Sequence, residues 1–217
     1  MDLSSPMDAV VPSLEGQILR VLAATSRPMT ASTIVRLVHR GSAPGVRVAL
    51  RRLAGVGTII NDRIGKQYQY QANREHAAWP AIQAVVDFAN GFPAQLDAKI
   101  SQTVRDGLAG WPEATGNNAD VTCAVFGSLA RGTADAESDI DLVLVVPDAT
   151  PPDMAEALSE RLTARVGAFT GNQVNVLLLT AGQRDDLIKR GDALVDSWRR
   201  DARTVHGPEL LNTPEEN

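Results

Sequence analysis

The chain has 217 residues, 44% hydrophobic and 22% charged, a composition of globular domains, one or two by length, and not of a disordered tail. No apolar run nears the ~20 residues of a bilayer span, and the first residues hold no basic, apolar leader. A lone Cys123, with His39, His76 and His206 far apart, excludes an internal disulfide and a Cys/His zinc module and fits a reducing cytoplasm. The net charge of −5 hides a split: residues 1–75 sum to +5, 76–120 to −3 and 121–217 to −7, so the two ends are expected to meet different partners.

In chain order, residues 14–24 carry Leu14, Ile18, Val21 and Leu22 on one helical face, with Ser13 as N-cap and Pro28 as stop. A second helix starts from Thr30, with Ile34, Leu37 and Val38 inward and Gly41 closing it. A third starts from Ser42, with Pro44 in its first turn, where a missing N–H costs nothing. Its buried stripe is Val46, Ala49, Leu50 and Leu53, which turns Arg47, Arg51 and Arg52 outward, and Gly55 and Gly57 end it. Residues 58–61 and 67–71 then flank residues 62–66 as a hairpin, and the Gln67–Gln71 run alternates at the strand period. The hairpin tip carries Arg63 and Lys66.

Three short helices before a basic-tipped hairpin resemble the winged helix-turn-helix of bacterial transcription regulators, over residues 12–75. The resemblance implies double-stranded DNA as partner. Arg47, Arg51 and Arg52 would lie on the helix that enters the major groove, and Arg63 and Lys66 would contact backbone phosphates. A docking or dimerisation module with a solvated basic face is the other reading, and such regulators usually act as homodimers.

Residues 76–116 read as a helical connector. One helix starts near Pro80 beside Trp79, with Ile82, Val85, Val86 and Phe88 apolar. Another carries Phe92, Leu96, Ile100, Val104 and Leu108 at every fourth position, weakened late by Gly107. Gly110, Pro112 and Gly116-Asn117-Asn118 mark a loop.

The chemistry lies in residues 121–146, VTCAVFGSLARGTADAESDIDLVLVV. Residues 121–126 read as a buried strand, Gly127-Ser128 as a tight turn into a short helix over 129–132, and Asp139-Ile140-Asp141 as the start of a second strand. A strand repeats every two residues, so Asp139 and Asp141 share a face. Paired carboxylates repel and build folds poorly, but they suit a divalent cation, and magnesium takes carboxylate together with phosphate oxygens and water. The Gly-Ser turn meeting a helix start favours an anion.

This stretch resembles the nucleotidyltransferase fold of the DNA polymerase beta superfamily. Gly127-Ser128, ten residues and Asp139-Ile140-Asp141 reproduce the spacing of the minimal nucleotidyltransferases, including those paired with HEPN-domain toxins. The resemblance implies attack of an acceptor hydroxyl on the alpha-phosphate of a nucleoside triphosphate, with pyrophosphate leaving. Gly127 and Ser128 would hold phosphates, Asp139 and Asp141 would bind Mg²⁺ or Mn²⁺, and a toxin or another macromolecule could be the acceptor. Arg131 would contact phosphate or brace the carboxylates; an ion pair to Asp135 or Glu137 is the alternative.

Active members of that superfamily carry a third carboxylate on a later strand. A helix over residues 153–166, with Met154, Leu158, Leu162 and Val166 inward, leads into the apolar run 172–179, and the third-acid position falls on Asn175. Asparagine has no charge and accepts no proton, so nucleotide and metal binding are expected to be more secure than turnover, unless Asp135 or Glu137 substitutes. The tail reads as helices over 185–189 and 193–203, with Arg199, Arg200 and Arg203 on a basic edge, and 207–217 frayed. The expected class is α+β: a flexible 1–11, the winged helix, the connector, a nucleotidyltransferase α/β domain with a mixed sheet over 117–206, and a tail. Three functions follow: a nucleotidyltransferase recruited to DNA, a DNA-binding regulator with an impaired nucleotidyltransferase fold used for nucleotide sensing or dimerisation, and an antitoxin-like protein.

Overall fold

The structure, a computed structural model, describes residues 1–38, 41–112 and 117–211. The chain divides into two compact units, residues 5–92 and residues 1–4 with 93–217. The class is α+β, with a mixed sheet in the C-terminal unit.

In the first unit α1 (Leu14–Ala23), α2 (Ala31–Leu37) and α3 (Ala43–Gly55) each begin at a hydroxyl N-cap. Ser13, Thr30 and Ser42 accept from the amides of Gly16, Thr33 and Gly45, which satisfies donors the helix itself leaves open. Ile18, Leu22, Ile34 and Leu50 are fully buried in one core with Val46 and Leu53, each worth about 1.5–3 kcal/mol by area. Leu37 was expected inward but is 45% exposed. The helix ends there, and Val38, in extended conformation, fills the core place instead. His39 lies outside the described residues.

The hairpin is tighter than the alternation predicts. β2 (Ile59–Ile64) and β3 (Gln67–Ala72) pair through Ile64 opposite Gln67, so Asp62 and Arg63 belong to the strand and only Gly65-Lys66 form the turn. Gly65 has φ of +62°, at the first position of a two-residue turn where glycine is needed. A short strand the sequence reading lacked, β1 (Met29–Thr30), adds to β3 in a three-stranded antiparallel sheet of order β1-β3-β2.

The two helices expected in the connector are one, α4 (Trp79–Leu108), with Pro93 inside it. Its apolar side is continuous, with Val86, Ala89, Phe92, Leu96, Ile100, Val104 and Leu108 all buried. Side-chain burial therefore outweighs the ~3 kcal/mol that an interior proline costs. Before α1 the chain makes a 3₁₀ turn at Pro6–Ala9, with Met7 buried against Val86 and Ala89.

In the second unit β4 (Thr122–Phe126), β5 (Ile140–Val146), β6 (Val174–Thr180) and β7 (Arg203–His206) form a sheet of order β6-β5-β4-β7. β4 runs antiparallel to β5 and β7, while β5 and β6 are parallel, joined by α6 (Pro152–Thr170) as such a crossover requires. α6 buries Leu158, Leu162 and Val166 and stops at Gly171, with φ of +76°. α5 (Gly127–Ala130) follows β4, and α7 (Ala181–Arg190) and α8 (Ala193–Asp201) follow β6. Strand β7 replaces the end of the expected last helix. Gly207 lies so close to the carbonyl of Val121 that no side chain fits, which holds this segment against the start of β4. Chain end 207–211 is fastened by Leu210, which is buried, and by Thr122 Oγ1 donating to the Pro208 carbonyl. Residues 212–217 of the expected frayed tail, and the loop marker Gly116, lie outside the described residues. No helix among the described residues is long and apolar enough to cross a membrane.

Candidate functional site

The register of the second sheet sets the site. Asp141 sits one residue into β5, paired with Phe126 of β4 on one side and Asn175 of β6 on the other. Asp139 precedes the strand by one residue and faces the same way, as the period of two demands. The three side chains meet. Asn175 Nδ2 donates to Asp139 Oδ2 at 3.2 Å and to Asp141 Oδ1 at 3.3 Å. The asparagine amide donates to both carboxylates, which relieves part of their repulsion.

Gly127 closes the other side. Its φ is +74°, and a Cβ there would stand 2.5 Å from Asp141 Oδ2. Glycine is therefore required twice, for the backbone angle and for the approach of the carboxylate. The turn after it is held by the amide of Thr133 donating to the Ser128 carbonyl at 2.9 Å, and by that of Arg131 donating to the Gly127 carbonyl at 3.2 Å.

The other expected groups are placed elsewhere. Arg131 pairs with Asp201 at the end of α8, not with Asp135 or Glu137. Asp201 is nearly buried, so this pair ties α5 to α8. Asp135 Oδ1 accepts from Ser138 Oγ and the Glu137 amide; these bonds, the Ser138 hydroxyl first, hold its carboxyl below the ordinary range. Among the described residues no group of three His, Cys, Asp or Glu side chains gathers where a metal ion could sit, so neither Asp135 nor Glu137 completes the acid set. Arg199, Arg200 and Arg203 bond to Asp196, Ser197 and Asp97. Asp139 Oδ2 and Asp141 Oδ1 both lie within hydrogen-bond distance of the one Asn175 Nδ2; these are the two carboxylates that would hold a divalent cation, with phosphate and water supplying its other ligands.

In the first unit Arg47 and Arg51 of α3 and Lys66 of the hairpin turn line one recess of about 680 Å³, together with Asn61, Tyr68 and Tyr70. Pairing of Asn61 with Tyr70 and of Arg63 with Tyr68 puts Arg63 on the same sheet face. Arg52 is not in this group; it turns to Glu15 of α1, at 3.4 Å. The sequence reading named the cations but missed the recess and its tyrosines. The signal was present in the alternation of Gln67–Gln71, which puts both rings on one face.

A family model described as "Nucleotidyltransferase domain" matches residues 113–192. That segment includes the Gly127 turn, Asp139, Asp141 and Asn175. No curated protein matches the chain. Among solved structures, one described as "Crystal structure of the toxin-antitoxin with AMP-PNP" shares 18% identity at a TM-score of 0.34, over 52% of this chain and 74% of that one. Another, of TrmBL2, an archaeal chromatin protein with a novel mode of DNA binding, shares 16% identity at a TM-score of 0.27, over 87% of this chain and 70% of that one. At these scores neither likeness carries an argument.

Proposed function

We propose that the second unit binds a nucleoside triphosphate with one divalent cation and that the first is a winged helix for duplex DNA, so that the chain is a DNA-binding protein carrying a nucleotidyltransferase domain with an incomplete acid set. The observation that carries this reading is Asn175, whose amide bonds both Asp139 and Asp141 where a third carboxylate would complete a two-metal site. Asp139 and Asp141 would hold the cation, and Gly127 with Ser128 would form the wall beside the phosphates. The cation would orient the triphosphate and offset its charge. Nothing at Asn175 can take a proton from an attacking hydroxyl, so binding outlasts turnover.

For the first unit the support is the group of Arg47, Arg51, Arg63 and Lys66. None has a carboxylate partner among the described residues, and they lie along α3 and the hairpin as a phosphate-binding surface requires.

A second reading, nucleotidyl transfer to a hydroxyl acceptor, is favoured by the family match together with the retained Asp139 and Asp141. Mn²⁺ binding followed by electron paramagnetic resonance tests the common core. With Arg47→Ala/Arg51→Ala present throughout, so that the first unit holds no Mn²⁺-triphosphate, the chain is expected to bind one Mn²⁺ when a non-hydrolysable triphosphate is present, and the same chain with Asp139→Ala/Asp141→Ala none. Equal Mn²⁺ binding by both would end the assignment, and two ions in the chain that keeps both aspartates would favour transfer.

A further inference from the structure

We propose that the recess beside α3 is a binding site for one free nucleoside triphosphate, with its phosphates on Arg47, Arg51 and Lys66 and its base against Tyr68, and that a nucleotide there and duplex DNA exclude one another. The exclusion rests on the DNA reading above; the nucleotide site does not.

The size is right: about 680 Å³ lies within the range of small-ligand sites. The charge is right too. Three cations from two elements converge on one hollow, and none has an ion-pair partner among the described residues. Such a cluster repels itself, and a ligand that concentrates several negative charges in one short chain relieves it best. A nucleic-acid strand spreads the same charge over successive phosphates.

The tyrosines decide between the two. Tyr68 is 50% exposed and shares the recess with Tyr70. Stacked duplex DNA offers phosphates and base edges but no base face. It would satisfy the arginines and offer phosphate oxygens to the tyrosine hydroxyls, but leave the ring faces without a partner. An unstacked nucleotide offers both, and aromatic side chains take base faces regardless of sequence. The Asn61 side chain, on the same wall, supplies donors and an acceptor for the edge of the base. Because Arg47, Arg51 and Lys66 are also the groups proposed to neutralise DNA phosphates, they cannot serve both ligands at once. The first unit would then answer to nucleotide level by itself, with no signal from the second.

Calorimetric titration of the full chain with ATP in EDTA, which withholds the cation from Asp139 and Asp141, tests the site. One equivalent of ATP is expected to bind both the wild type and the Asp139→Ala/Asp141→Ala variant. Tyr68→Ala, a change at an exposed residue, should weaken it roughly tenfold, the scale of a lost base–aromatic stack. Tyr68→Phe should restore it, and Arg47→Ala/Arg51→Ala should abolish it. Absence of binding in EDTA, or binding indifferent to Tyr68→Ala, overturns the proposal. Anisotropy of a labelled duplex tests the exclusion: ATP is expected to release it from the wild type but not, at the same concentration, from Tyr68→Ala. Duplex that stays bound beside ATP overturns the exclusion. A chain that binds ATP in this way but never binds duplex keeps the nucleotide site and removes the DNA reading. A labelled single strand that binds more tightly than ATP and loses affinity in Tyr68→Ala would overturn the free nucleotide in favour of a nucleic-acid end.

Discussion

Asn175 concentrates the functional question in one side chain. Its Nδ2 lies within hydrogen-bond distance of a carboxylate oxygen from each of Asp139 and Asp141, so it donates to both. Asn175→Asp exchanges that donor for a third negative charge of nearly the same shape. In EDTA the variant is expected to melt below the wild type, because three carboxylates then face one another with nothing between them. Added Mg²⁺ or Mn²⁺ should recover the loss and raise its melting temperature more than that of the wild type. If a triphosphate is turned over at all, the variant should gain on the order of 10²–10⁴ in rate, the usual worth of a proton-accepting group. Melting curves with and without metal check the first part. Equal metal shifts in both proteins would show that Asn175 does not stand at the cation site.

At the scale of elements, α4 and β7 meet through Ser101, whose hydroxyl lies 3.1 Å from His206 Nδ1 and accepts from Arg105 at 2.8 Å. Burial first, and the positive charge of Arg105 second, push the His206 pKa below its ordinary 6.5. The folded state therefore binds that proton less well than the unfolded chain. The penalty is absent above about pH 6.5 and grows as pH falls from there toward the depressed folded value. Asp135 and Asp148 are lowered from 3.8 by hydrogen bonds, so their contribution is lost only as the solution becomes far more acidic. The two windows separate. Urea unfolding at pH 7.5, 6.5 and 5.5 is expected to show stability falling over the last step in the wild type, with His206→Asn flatter there; parallel profiles would refute the assignment. This contact also marks where sequence reading stops. α1, α2 and α3 were legible because a cap, an apolar stripe and a stop each occur within a dozen residues. The Asp139–Asp141 pair and its meeting with Asn175 were legible because strand period and a parallel crossover place them together. β7 was not, because Arg203–His206 owes its strand form to β4, some eighty residues earlier in the chain. Nor was the unity of α4 across Pro93: local propensity argues for a break, and only the buried row on either side of the proline overrides it.

For the molecule as a whole, a net charge of −5 is a poor guide to nucleic-acid binding, because affinity follows the phosphates neutralised at the contact and not the total. The excess of +5 in residues 1–75 is further sorted by the fold. Arg52 pairs with Glu15, Arg74 donates to the carbonyls of Ala23 and Thr25, and Arg20 donates to Asn90, while Arg47, Arg51, Arg63 and Lys66 lie together along α3 and the hairpin as the charges of one surface. If each meets one phosphate, the logarithm of duplex affinity should fall with the logarithm of salt at a slope of about −3.6. Arg47→Ala/Arg51→Ala should weaken binding and reduce that slope by about 1.8, while Arg52→Ala should leave the slope unchanged, since its charge is directed at α1. Anisotropy with a labelled duplex between low and moderate salt reads both. A slope steeper than predicted that Arg52→Ala also reduces would place Arg52 on the DNA and show that its pair with Glu15 opens there. A slope near zero would take the first unit out of the DNA-binding class, and the acidic balance of the chain would then be the truer guide.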